Sequence, residues 1–401
     1  MLNSGKPKIV FLLGSGISIP AGMPKLYEIT ERVLSGEDIY YDCDEEIFTS
    51  YKHPYPLSKI QEENVQRVVE FVHRLKVEID YYYKKQNFRH ETDYEDLYYV
   101  SAQIPGCIWG DVANPVVQSF IDKISPYVQP LLEEKGLMKE WRLVDLADKA
   151  TEYIKFVVCY LLSKELTGVD YLSFIKDVCQ DGQVSKVDIF TLNHDTVLEK
   201  YFEMNKINFT DGFFSPEGEE HRYWKPSLFR SRSFKVRFFK LHGSINWYPL
   251  GKDWSDYLIG IPSGMVNRQI KDSKGRTLYV LGEPIFIVGT YNKMIEYTRG
   301  IYQELRFQFY RSLRQVDKLV ICGYGFGDEG INTEILEWIY SSPKNKLIVI
   351  DPQSKQLENR AKSPIRRRWN EWQRQNKLRV ISRGIEEIWW ELIRKGLIKS
   401  T

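Results

Sequence analysis

The chain has 401 residues, 43% of them hydrophobic and 14% aromatic, which is ample for a packed core and long enough for two domains or for one interrupted by an insertion. Its 56 basic and 54 acidic residues leave a net charge of +2, so no global field draws it to nucleic acid or to a membrane surface. No stretch approaches the roughly 18 apolar residues of a spanning helix, and the first residues lack the apolar length and cleavage site of a signal peptide, which makes the cytoplasm the expected location.

Residues 8–13, KIVFLL, read as a buried strand that ends at Gly14. Residues 36–180 differ in character. They are rich in Tyr, Glu, Lys and Gln, and their clearest periods, at 64–75 and 150–166, are helical. Short apolar runs return at 187–192, 236–241, 285–288, 318–321 and 347–350, with a weaker one at 378–381. Near-continuous Val/Ile/Leu/Phe runs of this length suit a parallel sheet covered on both faces. Between them, Thr196 to Glu199 reads as a capping box opening a helix to Met204, and 295–313 and 330–340 are amphipathic. Residues 211–234 show weak periodicity and are expected to form a long loop. The alternation predicts an α/β fold: a Rossmann-like parallel sheet of about six strands with helices on both faces. Its expected domain is discontinuous, residues 1–35 and 181–401, interrupted by a mainly helical insertion at 36–180.

Ligands of open parallel sheets bind at the carboxyl ends of the strands, so the residues that follow each run carry the functional argument. The first run is followed by Gly14-Ser15-Gly16-Ile17-Ser18, the second by Asn193-His194-Asp195 and the third by His242-Gly243-Ser244. The fourth leads to Gly289-Thr290, the fifth to Gly323-Tyr324-Gly325-Phe326-Gly327-Asp328 and the sixth to Asp351-Pro352. Gly14 and Gly16 let the backbone turn and approach a phosphate, or serve an ordinary strand-to-helix turn. No Lys-Ser or Lys-Thr pair follows, which excludes the phosphate loop of an ATPase. Asp195 suits a helix cap, whereas the Asn193 amide can hold a sugar hydroxyl or a water. His242, alone among the histidines, follows a strand and precedes a glycine, and it can act as a base near neutrality. Asp351 can accept from both hydroxyls of a ribose or close a turn. The five cysteines are scattered without a C-x-x-C pair, which suggests reduced thiols and leaves no structural zinc site expected.

The ordered set "GSGIS", "TLNHD", "LHGS", "VGT" and "GYGFGD" resembles the sirtuin family of NAD-binding proteins, in particular the bacterial sirtuin-like proteins of antiviral defence. The segment "DYEDLYY", from Asp93 to Tyr99, resembles an acidic and aromatic helix motif of that family's insertion. The resemblance implies a cleft for NAD in which Gly14, Ser15, Gly16 and Ser18 hold the pyrophosphate. It places Asn193 and Asp195 by the nicotinamide ribose and makes His242 the catalytic histidine. Thr290 then lies near a phosphate or the adenosine ribose, with Gly323 and Asp351 also on the nucleotide. The four-cysteine zinc module of the protein deacylases is absent from the sequence, and zinc-free members resemble NAD glycohydrolases, so the implied reaction is cleavage of NAD as substrate to nicotinamide and ADP-ribose. The alternatives are an NAD- or ADP-ribose-binding regulator without turnover, a deacylase or ADP-ribosyltransferase, and a nucleic-acid enzyme. The last draws on two basic runs with interleaved aromatics, 229–237 and 365–374. A toxic NAD hydrolase needs restraint, so a homo-oligomer and, by resemblance to two-component defence systems, a HerA-type hexameric ATPase partner are expected.

Overall fold

The computed structural model describes residues 5–54, 57–87, 91–110, 114–134, 139–219, 221–264, 268–289 and 292–397. The chain divides into two compact units, one of Met1–Met23, Glu165–Ile287 and Met294–Thr401, the other of Pro24–Lys164 and Val288–Lys293.

The first unit is built on a parallel sheet whose strands are β1 (Lys8–Leu13), β2 (Lys186–Thr191), β3 (Phe209–Thr210), β4 (Val236–Lys240), β5 (Lys318–Cys322), β6 (Lys346–Ile350) and β7 (Leu378–Ile381). Their spatial order is β7-β6-β5-β1-β2-β4-β3, and every neighbouring pair is parallel. The central strands are buried almost throughout because alternate residues serve opposite faces. On one face Val10, Leu12 and Phe190 join a cluster with Leu305 and Phe309 of the helix Gly300–Leu313. On the other, the Phe11 ring lies 6.1 Å from that of Phe174 in the helix Ser173–Gln180. From β1 the chain proceeds to β2 and β4 on one side and later to β5, β6 and β7 on the other. The switch point of the sheet is therefore the gap between the carboxyl ends of β1 and β5.

Three expectations need correction. The run 285–288 is not a strand of the parallel sheet; it makes a single antiparallel bridge, Gly243 with Phe286. Its polar groups are taken by the turn after β4: the Ile285 amide donates to Trp247 O, the Ile287 amide to His242 O, and Ile285 O accepts from Ser244. A short apolar run fits either arrangement, and Gly243 selects this one, since a Cβ there would lie 2.2 Å from Ile285 O. Residues 211–234 are not one long loop. Phe213–Phe214 is an edge strand and Arg222–Trp224 its neighbour in a six-stranded antiparallel sheet that continues through Asp256–Ile261, Tyr248–Asp253, Thr277–Val280 and Gln269–Lys271. Strands of two or three residues are too short to show a period. The capping box at Thr196 is also not made. The helix Val197–Met204 begins with Asp195 Oδ1 accepting from the Val197 amide, while Glu199 is drawn to Lys240.

The second unit is helical, with Leu26–Ser35, Leu57–Lys85, Tyr94–Ile108, Pro115–Leu132 and Leu143–Leu162 packed through residues such as Phe71, Leu75, Leu97 and Val157, plus a hairpin of Tyr40–Asp42 and Ile47–Thr49. "DYEDLYY" is a helix start: the Asp93 carboxylate accepts from the amides of Glu95 and Asp96.

Candidate functional site

The loop after β1 and the loop after β5 meet across the switch point, backbone on backbone. The Gly14 amide donates to Cys322 O and the Gly16 amide to Gly323 O, each at 3.0 Å. A Cβ on Gly14 would stand 2.5 Å from Gly323 O, and one on Gly16 2.7 Å from Gly323 Cα. Gly323 itself has φ +65° and would thrust a Cβ to 2.6 Å from the Ile17 amide nitrogen. These three glycines are therefore required by the contact of two loops, whatever ligand they also serve. Ser15 is exposed at the tip of the first loop.

The loop after β2 closes on this pair. Asn193 Nδ2 donates to Gly14 O at 3.2 Å and to Ser18 Oγ at 3.0 Å, and its own amide is held by Thr191 Oγ1. Asn193 is 7% exposed and Ser18 1%. Asn193 Oδ1, fully buried, has no hydrogen-bond partner among the described residues. A buried amide oxygen left without a donor costs about 1–3 kcal/mol, so its position is that of a group awaiting one. Behind the loop, buried Lys240 donates to the carbonyl oxygens of His194 and Asp195 and pairs with Glu199 at 2.7 Å. Burial pushes the Glu199 carboxyl up, against the pull of Lys240. Asp195 is thus structural through both its side chain and its carbonyl.

After β4, His242 turns into the core. Its Nε2 lies 2.5 Å from Tyr297 Oη and 3.1 Å from Asp328 Oδ2, and Tyr297 Oη donates to the same carboxylate oxygen at 2.9 Å. All three are buried. Burial, with the Asp328 charge beside it, holds the Tyr297 hydroxyl well above its ordinary value, so it stays protonated. The His194 ring is centred 6.0 Å from that of His242, and its carbonyl accepts from Ser244 Oγ and the Ile245 amide. Asp328 caps the helix Glu329–Ser341 through Oδ1, which accepts from the Ile331 amide.

Asp351, at the end of β6, closes its own turn by accepting from the Gln353 amide at 2.7 Å. Thr290 lies outside the described residues. Of the residues picked from the sequence, the fold brings Gly14, Ser18 and Asn193 into direct contact and packs Gly16 on Gly323. His242 meets two residues not assigned a role from the sequence. Asp328 ends the segment "GYGFGD", and its place before an amphipathic helix signals a cap. Tyr297 carries no signal, because nothing in its neighbourhood marks it for a histidine 55 positions away. In the basic run 365–374 burial separates the aromatic from the basic residues. Ile365, Trp369 and Trp372 face the core while Arg366, Arg367 and Arg368 are exposed, so the aromatics are not available for stacking on bases. Among the described residues, no group of three or more His, Cys, Asp or Glu side chains is arranged to hold a metal ion, and no helix is long and apolar enough to cross a membrane.

Residues 187–381 match the family model of the SIR2-like domain. The match begins in β2 and ends in β7, and so contains Asn193, His242, Asp328 and Asp351. Similar solved structures include a Sir2 homologue–NAD complex, with 11% identity over 98% of this chain and 90% of that one at a TM-score of 0.39. Another is Sir2 bound to acetylated peptide, with 9% identity over 98% and 94% at 0.37. A third, described as the structural basis for sirtuin substrate affinity, has 9% identity over 98% and 94% at 0.35. A search of the curated proteins finds no match to the chain.

Proposed function

We propose that the protein is an NAD glycohydrolase, replacing nicotinamide at the ribose anomeric carbon by water to give nicotinamide and ADP-ribose. The observation that carries the reading is Asn193: a buried amide, clamped on its nitrogen side by Gly14 O and Ser18 Oγ, with Oδ1 left open at the sheet's switch point. The SIR2-like domain match over this rim supports NAD as the ligand. Nicotinamide in NAD is already cationic and leaves with the electron pair of the N-glycosidic bond, so no acid is needed. What the residues must supply is orientation and a proton acceptor. Asn193 Oδ1 accepts from a ribose hydroxyl or from the attacking water. His242 takes the proton released as the water oxygen bonds to carbon. Ser15 and Ser18, with the loop shaped by Gly14, Gly16 and Gly323, form the pyrophosphate end, and Asp351 the adenosine end.

The resemblance of the motif set supports a role for this activity in antiviral defence by NAD depletion, in a homo-oligomer restrained or triggered by a HerA-type ATPase. The test is release of nicotinamide and ADP-ribose from NAD by the purified chain, alone and with the co-expressed ATPase. His242→Ala should lower the rate by about 10²-fold or more. Saturable NAD binding without nicotinamide release in either preparation would replace the hydrolase by a binding regulator. Intact cleavage in both Asn193→Ala and His242→Ala would remove the assignment of the site.

A further inference from the structure

His242 offers one ring nitrogen to a pair of oxygens, and the protons available there decide the state of the ring. The Asp328 carboxylate can only accept. Tyr297 has a single proton, and its Oη lies 2.9 Å from Asp328 Oδ2, so that proton goes to the carboxylate and the tyrosine oxygen presents a lone pair to His242 Nε2. A bare Nε2 would then face two acceptors, at 2.5 and 3.1 Å, with no proton between them. We infer that Asp328 and Tyr297 are positioning residues that fix His242 as the Nε2–H tautomer, leaving Nδ1 as the atom that accepts a proton. This rests on His242 being the base of the proposed hydrolysis.

The arrangement is held from behind. Asp328 Oδ1 is tied to the Ile331 amide, and its own amide donates to Tyr324 Oη, which also bonds Asn332 Oδ1. Asn332 Nδ2 in turn holds Phe326 O at 2.8 Å. Phe326 is a fully buried residue at φ +55°, a conformation that costs a non-glycine residue of order 1–3 kcal/mol and persists only where its surroundings impose it. The strained loop sets the carboxylate in one place. The other charged or titratable groups around the cluster are the Arg306 guanidinium over the Tyr297 ring, the Tyr324 hydroxyl and the His194 ring. A helix cap needs only Oδ1; the second oxygen accepts from Tyr297 Oη and lies 3.1 Å from the histidine nitrogen, which joins the three side chains in one cluster.

The tautomer is read directly by long-range proton–nitrogen correlation on the full chain labelled with nitrogen-15 at its six histidines, with His242 assigned through His242→Gln. The wild type should show the Nε2–H pattern. Asp328→Asn keeps the cap oxygen but turns an amide donor toward Nε2, so the signal should move to Nδ1–H or to a mixture, and kcat for NAD should fall by about 10²-fold with KM little changed. Tyr297→Phe, which leaves the carboxylate in reach, should weaken the Nε2–H preference less and carries the test should Asp328→Asn fail to fold. A wild-type Nδ1–H tautomer, or a pattern that neither substitution alters, overturns the proposal. Because this readout needs no NAD, a chain that cleaves none would end the hydrolase reading while leaving the positioning role decided.

Discussion

Asp188 and Asn193 stand on one strand and its exit, and both are buried, yet they are treated in opposite ways. Asp188 is fully enclosed and saturated. Arg237 meets both its oxygens at 2.5 and 2.7 Å, Lys8 reaches it at 2.5 Å and Ser312 Oγ at 2.6 Å. Burial works to raise its carboxyl, but the hydrogen bond from Arg237 and the charges of Lys8 and Arg237 outweigh this and hold it below the ordinary carboxylate value. Asn193 is satisfied only on its nitrogen side. A saturated buried cluster has nothing left to offer a ligand; one with a single unpartnered acceptor can still take a donor. Unpartnered buried atoms also occur away from the rim, as at Gln61 Nε2 and Gln308 Oε1, so it is the open acceptor together with its place against the loop after β1 that marks Asn193.

The contrast can be broken by experiment. Arg237→Met should be the most damaging to the fold. It strips the bidentate partner from a carboxylate that stays enclosed, at about 3 kcal/mol or more in chemical denaturation, while NAD cleavage per folded molecule is retained. Asn193→Ala should do the reverse. It gives up two hydrogen bonds, roughly 1–2 kcal/mol of stability, but lowers NAD cleavage by about 10²-fold. Equal losses of stability and activity in the two variants would erase the distinction. The smallest effect is one of pH. Burial lowers Lys8 to about 8 against the pull of Asp188. Between about pH 8 and 10.5 the unfolded chain therefore binds this proton more tightly than the folded one, so the contribution of Lys8 to stability rises with pH across that window. Lys8→Met should remove that slope from the difference in unfolding free energy between pH 7.5 and 10.

Much of the framework was legible because it follows from local pattern. β1, β2, β4, β5 and β6 are near-continuous apolar runs of the kind that two-sided burial requires, and the helices Gly300–Leu313 and Glu329–Ser341 carry an apolar stripe. What escaped was set by partners distant in sequence. Residues 285–288 look like a parallel strand until Gly243 offers them a closer neighbour, and the short strands near 213 and 223 are too brief to show a period. In the site, Asn193 and His242 were legible because each is the hydrogen-bonding side chain that follows a strand. Tyr297 was not, since its role consists entirely of a contact.

The sequence by itself determined most of the residues that follow the strands of the parallel sheet, because strand ends are marked locally in the chain, with the run 285–288 as the exception. Only the tertiary structure decided their state. It showed that Gly14, Gly16 and Gly323 serve each other, that Asp195 is committed to a helix start, that Asn193 keeps one acceptor open, and that His242 is gripped through Nε2. Hydrogen-bond saturation is a property of pairs, and pairs are made by folding.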